Sequence, residues 1–162
     1  MGDGIYKLYG VVEDGFDMIT HHQVERFFES ETTLKNFLET ASNVCKVGGY
    51  FAGYMLDGEA VFDKLESLKE NESTGKRWRL IKRYDTDTFE DEVSSLGLEV
   101  HIEHDNVIRK TYLANIHYFI QQMENHGFVL ISKSFAKEQN LPTPSGMFKK
   151  MLKQYKTETN QK

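Results

Sequence analysis

The segment from Phe16 to Met55 constrains the fold more than any other part of the chain. Phe16-Asp17-Met18-Ile19-Thr20 is an apolar run bounded by Asp14-Gly15 and by polar His21-His22-Gln23, which predicts a strand. Ser30 follows as a predicted N-cap. Behind it Leu34, Phe37, Leu38, Ala41 and Cys45 recur at helical spacing and define one apolar face. Gly48-Gly49 then predicts the end of that helix, because glycine enters the left-handed backbone region without penalty. Tyr50 to Met55 does not alternate, as expected of a strand buried on both faces. A right-handed crossover through the helix makes the two strands parallel neighbours. The expected class is therefore α/β.

The remainder continues the α/β pattern. A helix is predicted from Glu59 to Glu70 on Phe62, Leu65 and Leu68, and Asn71 to Lys76 reads as an exposed loop. Strands are predicted at Trp78–Tyr84, Leu98–Glu103 and Asn106–Tyr112. The second of these alternates and should expose one face. Leu113, Ile116, Phe119, Ile120 and Met123 mark a further helix stopped by Gly127, and Phe128 to Ser132 predicts a last strand. Ile5 to Val12 reads as a short, glycine-interrupted strand. Leu141-Pro142-Thr143-Pro144 breaks the chain before a basic helix carrying Phe148, Met151, Leu152 and Tyr155.

Composition enters as an exclusion. With 162 residues, 39% apolar and 12% aromatic, the chain can bury the core of one domain and is not disordered. The single Cys45 excludes an internal disulfide, which fits a reducing compartment. No apolar run approaches the roughly 18 residues of a membrane span, and the N-terminus carries no signal-like block. A soluble, intracellular, cytoplasmic protein is the expectation. A net charge of -5 argues against generic nucleic-acid coating. Two basic clusters, Lys76–Arg83 and the lysines from Lys149 onward, read as solvated faces. The histidines show no metal-ligand spacing: adjacent His21 and His22 point to opposite sides of a strand, and His101 and His104 sit in an ordinary charged strand end. Trp78 reads as a core residue.

Phe16-Asp17, Phe28-Glu29-Ser30, Gly48-Gly49-Tyr50-Phe51-x-Gly53 and Asp57, with Tyr112-Leu113 and Gly127-Phe128 further on, resemble the second half of the methyltransferase domain of mRNA cap guanine-N7 methyltransferases. That family reads "FD", "QFxxHYxFES", "GGYFIGT", "EYLV" and "YGF" in the same order. The resemblance runs from Phe16 to about Glu138. It implies an incomplete class I S-adenosylmethionine-dependent methyltransferase (Rossmann-like) fold, a mixed sheet with flanking helices. The implied organisation is a lead-in over 1–15 with a possible edge strand, the partial domain over 16–138, and a basic tail or helix over 139–162. Large DNA viruses and eukaryotes carry such domains, and the short loops here fit the viral form; a cellular capping enzyme would be nuclear.

The resemblance also assigns sites. The family Gln falls at His22 counted from one side and at His21 counted from the other, with Gln23 adjacent, the guanine-gripping His-Tyr pair at Glu25-Arg26, the Pro of "TTPD" at Leu56, and the guanine-pairing Glu of "EYLV" at Thr111, beside Tyr112. Phe27, Phe28 or Tyr112 remains as a stacking partner. The glycine-rich turn and ribose-binding acid that hold S-adenosylmethionine have no counterpart before Phe16, so the cofactor is implied by the family alone. N7 methylation depends on positioning rather than acid–base chemistry, and with those residues replaced the chain alone is expected to be inactive. The implied function is a partial or degenerate cap methyltransferase domain in mRNA 5′ capping, with capped RNA and a catalytic capping subunit or the missing N-terminal half as partners. Two alternatives stand beside it: a non-catalytic methyltransferase-like subunit that stabilises or stimulates a catalytic partner, and an RNA-binding module built on Trp78 and its basic neighbours. In the first two cases the Phe16–Thr20 edge needs covering, by another chain or by residues 1–12.

Overall fold

A computed structural model describes residues 15–68 and 72–139. Strand β1 (Phe16–His22) leads through a 3-10 turn (Val24–Glu29) into helix α1 (Glu31–Val44) and strand β2 (Cys45–Tyr54). Helix α2 (Gly58–Glu66) precedes β3 (Glu72–Thr74) and β4 (Trp78–Lys82), and a short 3-10 turn (Val93–Ser95) precedes β5 (Glu99–His104) and β6 (Val107–Tyr112). Helices α3 (Ile116–Asn125) and α4 (Lys133–Glu138) follow. The chain divides into two units, 1–127 and 128–162.

The α/β expectation holds, but among the described residues the strands form two sheets rather than one mixed sheet. β1 and β2 pair in parallel as predicted, and β3-β4-β5-β6 is an antiparallel meander. In the meander, Leu80, Val100 and Ile102 point to the core side, where Val100, Leu98 and Leu113 join Phe62 and Leu65 of α2. Glu99, His101 and Glu103 alternate onto the other face, as the sequence of β5 requires. α1 buries Leu34, Leu38 and Ala41, a stripe at helical spacing. Burying each leucine contributes about 1.5–3 kcal/mol. Ser30 caps α1 by accepting the Thr33 N–H at 3.2 Å.

Several expectations give way. Gly48-Gly49 does not end the helix. α1 stops at Val44, and Cys45 opens β2 instead of completing the helical face. The glycines lie inside β2 at an irregularity, where the partner of Phe16 is Cys45 but that of Met18 is Tyr50. Gly48 has φ +79°, and a Cβ on Gly49 would sit 2.9 Å from the Phe16 carbonyl oxygen and the Cys45 Sγ. The double glycine therefore builds a bulge.

β2 is also not buried on both faces: Tyr50, Ala52 and Tyr54 are exposed, as are Met18, Thr20 and His22 opposite them on β1. Helix α2 ends at Glu66, and Leu68 is exposed. The expected loop at Asn71–Lys76 contains β3, whose Ser73 is buried beside Leu80. Pairing with a neighbour makes this strand, and no apolar pattern announced it. Phe128 to Ser132 forms no strand. Val129 and Leu130 are exposed, and an apolar run becomes a strand only where a sheet edge receives it. Trp78 is no core residue; it is 41% exposed and its indole lies across Gly75. The strand at Ile5–Val12, the Pro-containing break and the basic C-terminal helix lie outside the described residues. Among the described residues, no helix is long and apolar enough to cross a membrane.

Candidate functional site

β1 and β2 run in parallel, so their carboxyl ends lie side by side, and loops from that end form ligand sites in α/β sheets. His22 closes β1 and is in register with Tyr54, which closes β2. Their rings meet edge to face, 4.8 Å between centroids, and both are exposed. Gln23 then takes the left-handed conformation (φ 61°, ψ 54°). This turns the chain sharply into Val24–Glu29.

That turn buries Glu25, which keeps only 8% of its surface. Its Oε2 accepts the Leu56 backbone N–H at 3.3 Å, from the loop that follows β2. Burial raises the Glu25 pKa; its own N–H, that of Leu56 and the charge of Arg26 offset this in part. Arg26 is exposed and forms no salt bridge among the described residues. Leu56 packs its side chain against the Phe62–Leu65–Val100 core.

The far end of the same turn meets β6. The Tyr112 hydroxyl donates to Glu29 Oε1 at 2.8 Å, and the Lys110 amine lies 5.2 Å over the Tyr112 ring. Burial, reinforced by Glu29, raises the Tyr112 pKa against the opposing pull of Lys110. Thr111 is buried and its Oγ1 has no hydrogen-bond partner. Beside it Gly58, the first residue of α2, packs so tightly on Ala114 that a Cβ would strike backbone. Four of the residues singled out from sequence, Glu25, Leu56, Thr111 and Tyr112, thus belong to three segments that meet around Val24–Glu29.

The stacking partners proposed from sequence are not free to stack on a ligand. Phe27 lies flat against Phe37, 4.1 Å between centroids, and Phe28 is fully buried near Phe119. Tyr112 is itself buried. Tyr54, half-exposed at the end of β2, is the aromatic that sequence reasoning missed. Its signal was the parallel register, which sets it opposite His22. Glu29 was missed as well, because a carboxylate in a short turn gives no hint of a tyrosine 83 residues away. His21 faces inward between Phe27 and Phe37, its Nδ1 buried without a partner, and burial lowers its pKa.

The Lys76–Arg83 cluster is largely neutralised within the sheet. Arg77 makes a two-pronged contact with Asp105, Arg79 pairs with Glu103 and Glu72, and Lys82 pairs with Glu66. His101 bonds Glu99 at 2.7 Å, and no cluster of three His, Cys, Asp or Glu residues among the described ones is arranged to hold a metal ion. The turn after β1 carries Val24, Phe27 and Phe28 and no glycine, while Gly58 after β2 is pressed against Ala114. No family model matches the chain, and no curated protein matches it.

Proposed function

We propose that the chain is a partial, degenerate cap guanine-N7 methyltransferase domain. In this reading these residues contribute the guanine end of the site and act in mRNA 5′ capping with S-adenosylmethionine held elsewhere. One observation carries it. Residues assigned to guanine contact by separate stretches of sequence are drawn to one turn, Glu25 through Leu56 and Glu29 through Tyr112. The resemblance gives a reason for this convergence on the turn that follows β1, which β6 of the antiparallel sheet reaches from its other end. With no cofactor cradle among these residues, nothing holds a methyl donor in line with the guanine, so the chain alone is inactive.

The test is complementation. The full chain is mixed with a separately expressed cofactor-binding half of a cap methyltransferase and assayed for methyl transfer to cap-terminated RNA. Activity in the mixture, with none in either component, is the expected result. Methyl transfer by the chain alone contradicts the degenerate reading.

A second reading is favoured by the outer face of β1–β2. Met18, Thr20, His22, Tyr50, Ala52 and Tyr54 are all exposed there, whereas parallel sheets are ordinarily covered on both faces. A non-catalytic subunit that stabilises or stimulates a catalytic capping partner would cover that face. Enhancement of an already complete partner's activity, without restoration of an incomplete one, distinguishes it.

A further inference from the structure

β6 is the outer strand of the antiparallel meander, and its backbone is only half used. The Leu113 N–H donates to the Leu98 carbonyl opposite it, so these two residues form a hydrogen-bonded pair. Such pairs alternate along an antiparallel ladder. By the register of β5 with β6, Thr111, Arg109 and Val107 likewise turn their N–H and C=O groups towards Val100, Ile102 and His104. Ile108 and Lys110 therefore turn theirs outward, where no backbone group among the described residues meets them. The Val24–Glu29 turn meets the strand at Tyr112, and Val107 through Lys110 are all exposed. An unpaired edge is ordinarily blunted by a lysine, a proline or a bulge. This edge has no proline and no register shift, and its lysine is tied back. The Lys110 amine bonds Glu99 of β5 at 2.8 Å and lies over the Tyr112 ring. Val107 and Ile108 are 55% and 59% exposed, and Arg109 forms no salt bridge among the described residues.

We propose that β6 is a docking edge, to which an extended acidic peptide of a partner protein adds as a further strand of the meander. Main-chain bonds to Ile108 and Lys110 supply affinity, and alternate side chains supply selectivity. A carboxylate directly across from Arg109 pairs with its guanidinium. An apolar residue across from Ile108 covers that side chain on the opposite face, so the segment alternates acidic and apolar residues. The carboxylates nearest the edge do not compete, because Glu99, Glu103 and Asp105 are paired with Lys110, Arg79 and Arg77. The net charge of -5 is screened beyond roughly 8 Å at physiological ionic strength, which leaves the local guanidinium to decide. A second copy of this chain fits less well. Set antiparallel with Ile108 across from Lys110, two β6 strands would bring Arg109 against Arg109, and like charges directly opposite destabilise a pair.

The test is amide hydrogen exchange on the full chain, with a capped peptide of about six alternating valine and glutamate residues, the usual strand length. Without peptide, the Ile108 and Lys110 amides should exchange fast while Arg109 is protected. Saturating peptide should slow both outward amides by at least about tenfold. Ile108→Pro deletes one outward donor and leaves the β5–β6 bonds in place, a change that edge strands tolerate. It should abolish the slowing at Lys110. Arg109→Glu should reverse the preference, so that a valine–lysine peptide protects the edge in place of the valine–glutamate one. The valine–glutamate peptide with methylated amide nitrogens cannot donate and should protect neither amide, a control that needs no variant. Equal protection by the valine–lysine peptide on the unaltered chain, or none by either peptide, overturns the proposal. Protection of both amides before any peptide is added overturns it as well. In that case loss of protection on dilution identifies a second copy as the occupant, and persistence identifies another segment of this chain.

Discussion

At the scale of single residues, the balance between burial and pairing decides each role. Tyr112 and Glu29 are joined by one hydrogen bond between a buried ring and a turn. Tyr112→Phe keeps the ring and deletes the bond, so urea denaturation should show a loss of about 1 kcal/mol. Glu25 behaves in the opposite sense. Because burial raises its folded pKa above the unfolded value, folding favours the protonated form. Its contribution is best at pH values below the unfolded pKa and declines as pH rises through the unfolded and then the folded value. Glu25→Gln removes that titration. The variant should be more stable than wild type at pH 7, and the difference should shrink as pH falls towards 4, measured by thermal melts across that range.

At the scale of elements, pattern and partner divide what the sequence reveals. The α1 stripe, the Ser30 cap, the parallel pairing of β1 with β2 and the alternation of β5 all follow from local periodicity, and all are present. β3, the missing strand at 128–132 and the open face of β2 depend on what lies beside them. A single sequence does not state that. Gly48-Gly49 shows the limit most clearly: glycine chemistry was legible, but a left-handed residue serves a helix terminus and a strand bulge equally well. The bulge makes a graded prediction. Gly48→Ala meets open space and carries only the left-handed backbone cost of about 1–2 kcal/mol. Gly49→Ala places its methyl 2.9 Å from Cys45 Sγ, the Lys46 oxygen and the Phe16 oxygen, so it must displace backbone across the β1–β2 pair. Chemical denaturation should rank Gly49→Ala as the more damaging change, by a further 1 kcal/mol or so. Of the residues gathered around the Val24–Glu29 turn, Glu25, Leu56, Thr111 and Tyr112 had been singled out in the sequence. Tyr54 and Glu29 became visible only when the register and the turn were known.

At the scale of the molecule, the antiparallel meander closes over its own core, whereas the parallel pair has one face packed and one face open. Among the described residues Met18, Tyr50 and Tyr54 stay exposed, the face that the proposed non-catalytic subunit would use. The neutralised Arg77, Arg79 and Lys82 leave little of the basic cluster for a phosphate backbone. The central proposal is that the described residues recognise guanine and do not themselves hold the cofactor. Calorimetric titration of one preparation of the full chain, first with S-adenosylmethionine and then with a methylated cap dinucleotide, tests it most directly. The account predicts no heat of cofactor binding and a saturable response to the cap; micromolar binding of S-adenosylmethionine, or no response to the cap, would contradict it.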